Sequence, residues 1–187
     1  AEAAPASKMA QEALFEYHLY TLARPTTIAD NQTKQVALLS AQAVPIVKEL
    51  VLQGSDYYYR SSVGGIGQKM KLGVFVQLEN RESSRLGMPM PKGVVRVYKK
   101  DSAGNAQFVG EDRINHTPKD EALNLKIGNA FDVVCERNQV DFEKIAGNVY
   151  EFEYEITLRN HKATPVTVEV NEPIGGTWRM VRASHEW

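Results

Sequence analysis

Strict alternation of apolar and polar residues between positions 150 and 159 constrains the fold of this chain more than any other feature. The apolar members are Tyr150, Phe152, Tyr154, Ile156 and Leu158, and the polar members are Glu151, Glu153, Glu155, Thr157 and Arg159. A period of two places these two sets on opposite faces of a β-strand. We therefore predict a half-buried strand whose apolar face meets a core.

A second alternating run follows directly and suggests a partner for this strand. After the polar turn at 160–165, Val166, Val168 and Val170 alternate with polar residues, which predicts the returning strand of a hairpin. The three glutamates of the first strand then form an ordinary solvated face, satisfied by lysines of a neighbouring strand. The alternative is a pair of catalytic carboxylates of the kind that flank the scissile bond in glycosidases.

Short strand patterns separated by turn residues recur along the chain. We predict an inner strand at 14–22, two strands at 123–127 and 130–137 around Gly128-Asn129, and a last strand around Trp178. No amphipathic helical pattern of normal length is present. The sequence therefore predicts an all-β fold, an antiparallel β-sandwich of immunoglobulin-like type. The alanine-rich residues 1–13 are predicted to be a linker or a frayed segment, and residues 14–187 a single domain.

Composition excludes several classes of function. A hydrophobic content of 43% with 24% charged residues is typical of globular proteins rather than of disordered ones. The net charge of -1 gives no electrostatic reason to expect nucleic acid as a partner. No apolar run is long enough for a membrane span. The single cysteine, Cys135, excludes an intrachain disulfide, and its place in an alternating apolar run predicts a buried thiol.

The aromatic residues provide the only candidates for a ligand site. Tyr57-Tyr58-Tyr59 is the densest aromatic cluster, and Tyr57, Tyr59, Trp178 and Trp187 are candidates for a sugar- or peptide-binding platform. The alternative for the tyrosines is a strand with aromatic residues on both faces, since aromatics are enriched in strands. We predict no catalytic residue, no metal site and no cofactor, because the four histidines lack metal-pair spacing and no nucleophile motif is present.

Three segments together resemble a known family. LFEYHLYTLARPTTIADNQTKQV (14–36), IGNAFDVVCERNQVDF (127–142) and YEITLRNHKATPVTVEV (154–170) are similar to the bacterial domain-of-unknown-function family 4139. The resemblance implies a β-sandwich at the C-terminal end of a longer protein, in the periplasm or secreted. It provides no catalytic residues. Members of the family continue past the region of Trp178 into two further strands, so the resemblance implies that the last strands are absent here.

The function expected from this sequence is that of a non-catalytic β-sandwich module. Its partner would be another protein or a neighbouring domain of the parent chain, and its role contact or structural support in the bacterial envelope. A strand left without a neighbour would expose unpaired backbone groups, so we also expect self-association through an edge strand. The alternatives are a carbohydrate-binding module and a hydrolase with an unrecognised site.

Overall fold

A computed structural model describes residues 7–22, 25–63 and 70–186, and these residues confirm the predicted all-β class. No α-helix occurs within these ranges, and none of their helical turns could cross a membrane. The described residues form eleven strands: β1 (Ser7–Lys8), β2 (Ala10–Leu14), β3 (Tyr17–Thr21), β4 (Leu39–Ser40), β5 (Val47–Gln53), β6 (Met70–Glu79), β7 (Gly93–Lys100), β8 (Ala106–Ile114), β9 (Ala122–Ala146), β10 (Val149–Asn160) and β11 (Glu169–Asn171).

The strand predicted from the period-two run is confirmed as β10, but its predicted partner is wrong. β10 pairs antiparallel with β9, from Val149 opposite Ala146 to Asn160 opposite Val133. The two-residue turn Gly147-Asn148 joins them, and Gly147 adopts a φ of 45°, which a glycine reaches without steric cost. β11, the expected return strand, instead pairs parallel with β5.

The main sheet has five strands in the order β10-β9-β6-β5-β11. β9 runs through Gly128-Asn129 without interruption, so the prediction of two separate strands there is wrong. A glycine lowers strand propensity but does not exclude a strand, and β9 stays extended through Gly128. β10 and β11 are the outermost strands of this sheet.

The chain divides into two compact units. The first unit comprises Ala1–Val47 and Val76–Leu125, and the second comprises Lys48–Phe75 and Lys126–Trp187.

The first unit contains two hairpins, β2–β3 and β7–β8. The predicted inner strand at 14–22 is wrong, because Phe15-Glu16 forms a turn and β3 pairs only with β2 in the described part of the chain.

The buried Asn80 side chain donates hydrogen bonds to the carbonyls of Met88 (2.7 Å) and Pro118 (2.8 Å). It also accepts one from the Gly87 amide (3.0 Å), and so joins the connection between β6 and β7 to the connection between β8 and β9.

The core of the second unit lies on the apolar faces of the main-sheet strands. Its buried members are Leu50, Leu52, Leu72, Val133 and Cys135, and its half-buried members include Ile156, Val166 and Val168. Ile156 therefore faces the core as the alternation predicts. The prediction that Cys135 is buried is also confirmed, and burial raises the pKa of its thiol.

Candidate functional site

Of the four predicted ligand-binding residues, the structure describes the side chains of Tyr59 and Trp178, and these two lie in different surroundings. Residues 56–59 form a turn of 3₁₀ helix, so the predicted strand at Tyr57–Tyr59 is wrong. The Tyr57 side chain and Trp187 lie outside the described residues. Trp178 is 44% exposed in the irregular segment after β11, where the predicted last strand is absent from the described residues. The platform of four aromatics stays a prediction.

Tyr59 is half-buried and belongs to a cluster that also contains Phe152, Arg137, Tyr154 and Glu172, here called the Arg137 cluster. The Arg137 side chain is fully buried, and its Nη1 forms an ion pair with Oε1 of Glu172. Arg137 Nη2 donates a 2.6 Å hydrogen bond to the Tyr59 hydroxyl, which in turn donates to Oε2 of Glu172 at 2.6 Å. The three polar groups thus form a closed ring of hydrogen bonds.

Aromatic rings enclose this ring of polar groups. The Arg137 guanidinium carbon lies 4.5 Å from the centroid of the Tyr154 ring, within the range of a cation–π contact. The Tyr59 ring lies 4.9 Å from the ring of Phe152 and 5.1 Å from that of Tyr154. The Tyr59 ring is therefore covered by side chains of the protein itself.

The surroundings fix the protonation states of the cluster. Burial, reinforced by the hydrogen bond to Glu172, raises the pKa of Tyr59, so its hydroxyl stays a neutral donor. Burial alone would lower the pKa of Arg137, but the hydrogen bond and the charge of Glu172 outweigh it and raise that pKa. Arg137 is therefore a cation whose charge Glu172 balances.

The Arg137 cluster joins three segments that are distant in sequence. Arg137 lies on β9, Tyr59 follows β5 and Glu172 directly follows β11. Gly54 leaves room for the carboxylate, since a Cβ at that position would overlap Oε2 of Glu172. The charged groups of the cluster are engaged with one another, and we assign it a structural role. It holds the three segments together.

Sequence reasoning missed Arg137 and Glu172, although one signal was present. Val133, Cys135 and Arg137 share the period of two on β9, which places the arginine on the core face. A charge on a core face requires a partner. Nothing in the sequence around Glu172 identifies it as that partner.

The three glutamates of β10 are exposed as predicted, but the predicted lysines opposite them are wrong. Glu151 lies opposite Glu143, Glu153 opposite Asp141 and Glu155 opposite Asn138 on β9. Like charges at these positions destabilise a strand pair. A cation from the segment after β11 contacts one of these glutamates. Nη2 of Arg182 donates a hydrogen bond to Oε1 of Glu153 at 2.6 Å.

Neither these carboxylates nor the histidines form a metal site. Across residues 7–22, 25–63 and 70–186, no three His, Cys, Asp or Glu side chains converge as ligands of a metal ion would.

The outer side of β10, here called the β10 edge, presents a second feature of functional interest. β10 has twelve residues and ends the sheet order, with β9 as its only strand neighbour in the described part of the chain. A shallow depression at this strand is lined by residues 153–157, by Val140 of β9 and by Ser184. Among the described residues, no second strand faces the backbone groups of β10 that point away from β9, and side chains of Arg182 and Ser184 lie near residues 153–157.

No family model, no curated protein sequence and no solved structure matches this chain.

Proposed function

We propose that this chain is a non-catalytic β module that makes protein–protein contacts through the β10 edge. The observation that carries the proposal is the twelve-residue outer strand, which lacks a second strand neighbour among the described residues. An unpaired strand edge gives a partner backbone hydrogen bonds as well as alternating side-chain positions. Proteins ordinarily shorten or cover such edges, so a long one fits an interaction role.

The Arg137 cluster supports this role because it braces the sheet that presents β10. Arg137 lies directly opposite Ile156 of β10, and its guanidinium contacts the ring of Tyr154 on the same strand. A binding strand held by a buried network loses little conformational freedom when a partner adds to it. The cluster thus acts on binding through rigidity rather than through contact with the partner.

The type of β-sandwich and the cellular compartment are part of the same proposal. The module is an antiparallel sandwich of immunoglobulin-like type, supported by its strand content, although the parallel pair β5–β11 departs from that pattern. Its place is the bacterial periplasm or the medium, supported by the resemblance to family 4139 alone. Fractionation of cells of the source organism with an antibody to this chain tests the compartment, and recovery with cytosolic markers would contradict it.

Site-specific photo-crosslinking tests the proposed function. A photoreactive amino acid replaces Glu155 on β10 in cells of the source organism, and the matched control carries it at Tyr98, which is 56% exposed on β7. We expect a covalent adduct with one defined protein at position 155 and none at position 98. No adduct at 155, or the same set of adducts at both positions, would overturn the proposal.

The carbohydrate-binding and hydrolase alternatives have their own tests. A glycan array and a panel of hydrolase substrates, each applied to the purified chain, separate them from the contact module. Specific glycan binding that is lost in Trp178→Ala would favour the carbohydrate module. Turnover of any substrate would favour the hydrolase.

A further inference from the structure

We infer that the partner of the β10 edge is a second copy of this chain, paired antiparallel about a two-fold axis at Ile156. The inference rests on the proposed function, since it names the occupant of the same edge. In a two-fold pair the same surface faces itself, so the strand must be complementary to its own reverse. The sequence of β10 meets this condition in the register centred on Ile156.

In that register, residues 152–160 of the two copies lie side by side. Glu153 faces Arg159 of the second copy, and the symmetry repeats this pair on the other side of the axis. Tyr154 faces Leu158, and Ile156 faces itself, so the apolar face continues from one sheet into the next. Opposite charges and apolar pairs directly across an antiparallel ladder both stabilise it.

Registers centred closer to the start of the strand bring like charges together. Centring on Tyr154 places Glu153 opposite Glu155, and centring on Glu155 places that glutamate opposite itself. Like charges at directly opposed positions destabilise the pair. The glutamate row therefore blocks these registers. Centring on Thr157 also places Arg159 opposite a carboxylate, that of Glu155, but only residues 154–160 then lie side by side, so the register centred on Ile156 pairs more of the strand.

The ion pairs that these residues make within one chain do not prevent the exchange. Glu153 pairs with Arg182, whose side chain is 77% exposed, and Arg159 pairs with Glu136 at 2.6 Å near the surface. Surface pairs of this kind contribute little to stability. Arg182 competes for Glu153, so its removal is expected to strengthen the dimer.

Charge reversal on the full chain tests the inference. Sedimentation over roughly a hundredfold range of protein concentration is expected to show wild-type dimers that dissociate on dilution. Glu153→Arg and Arg159→Glu each place two like charges opposite one another on both sides of the two-fold axis. Each variant is expected to weaken association by about tenfold or more. Mixing the two variants restores every pair as Arg–Glu, so tagged and untagged copies are expected to be isolated together.

Two further variants fix the register. Glu155 faces Thr157 in the register centred on Ile156, so Glu155→Arg is expected to leave the dimer intact, and Arg182→Ala is expected to shift association to lower concentration. Circular dichroism melts of each variant in dilute solution establish that it is folded. A wild type that is monomeric throughout, mixed variants that do not associate, or a Glu155→Arg effect as large as that of Glu153→Arg would overturn the inference.

The crosslinking experiment separates this inference from the proposed function. An adduct at position 155 with twice the mass of the chain supports both. An adduct with a different protein, beside a monomeric wild type in sedimentation, overturns the second copy as partner and keeps the contact function. The absence of any adduct removes both.

Discussion

Replacing Glu172 with glutamine leaves the buried Arg137 guanidinium without the carboxylate that balances its charge. The Arg137 side chain is 0% exposed, and that of Glu172 is 18% exposed. Breaking a buried ion pair by removing one partner typically costs about 3–5 kcal/mol, because the remaining charge stays desolvated. Glutamine keeps the shape of the side chain and one acceptor, so we expect the lower end, about 3 kcal/mol.

Urea unfolding followed by circular dichroism measures this loss, with Glu111→Gln as the matched control. Glu111 pairs with Arg96 at 2.9 Å, but the two side chains are 48% and 42% exposed. An exposed pair contributes at most about 1 kcal/mol. Equal losses of unfolding free energy in Glu172→Gln and Glu111→Gln would show that the buried ion pair of the Arg137 cluster does not stabilise the fold more than an exposed pair does.

A double variant adds an internal check on the mechanism. Arg137→Met with Glu172→Gln removes the cation together with its partner, so no uncompensated charge is left in the interior. We expect it to lose less unfolding free energy than the sum of the two single variants. An additive result would mean that the two side chains do not depend on each other.

Three further predictions test separate parts of the structure. The raised pKa of Tyr59 means that the folded state holds its proton more tightly, so unfolding free energy is expected to fall as pH rises above about 10. Absorbance titration should show that Tyr59→Phe removes a tyrosine that ionises at higher pH than an exposed one, and a titration curve that is the same in the variant would contradict the assignment. Gly54→Ala displaces the Glu172 carboxylate and should cost about 2 kcal/mol or more in urea, whereas Gly175→Ala, which meets open space, should change stability by less than about 0.5 kcal/mol. Ile156→Glu buries a charge against the core and should cost about 2–4 kcal/mol, while Glu151→Lys on the exposed face should stay within about 0.5 kcal/mol; equal urea midpoints would mean that the faces of β10 are reversed.

The local pattern was sufficient to predict β10 but not its partner. Alternation at 150–158 depends only on neighbouring residues, so the strand and its core face could be predicted. The partner is a choice among distant segments, and Val166, Val168 and Val170 fitted the pattern as well as β9 did. The Gly147-Asn148 dipeptide between two alternating runs was the stronger hairpin signal, because it joins them by two residues.

Tertiary contacts determine the conformation of segments where local strand propensity predicted the wrong structure. Tyr57 to Tyr59 has strand propensity, yet this segment forms a 3₁₀ turn in which the Tyr59 hydroxyl reaches Arg137 and Glu172. The alternation on β9 marks Arg137 as facing inward, but Glu172 belongs to no periodic run. The Arg137 cluster could therefore be predicted only as an inward charge in need of a partner.

Amide hydrogen exchange along β10 is the most direct test of the contact function and of the second copy as partner. In a dilute monomer, alternate amides between residues 152 and 160 point away from β9 and are expected to exchange rapidly. At high protein concentration the same amides are expected to become protected, while those that face β9 change little. Slow exchange of the outward amides at every concentration would mean that the edge is already covered, and rapid exchange at every concentration would mean that no second copy pairs with it.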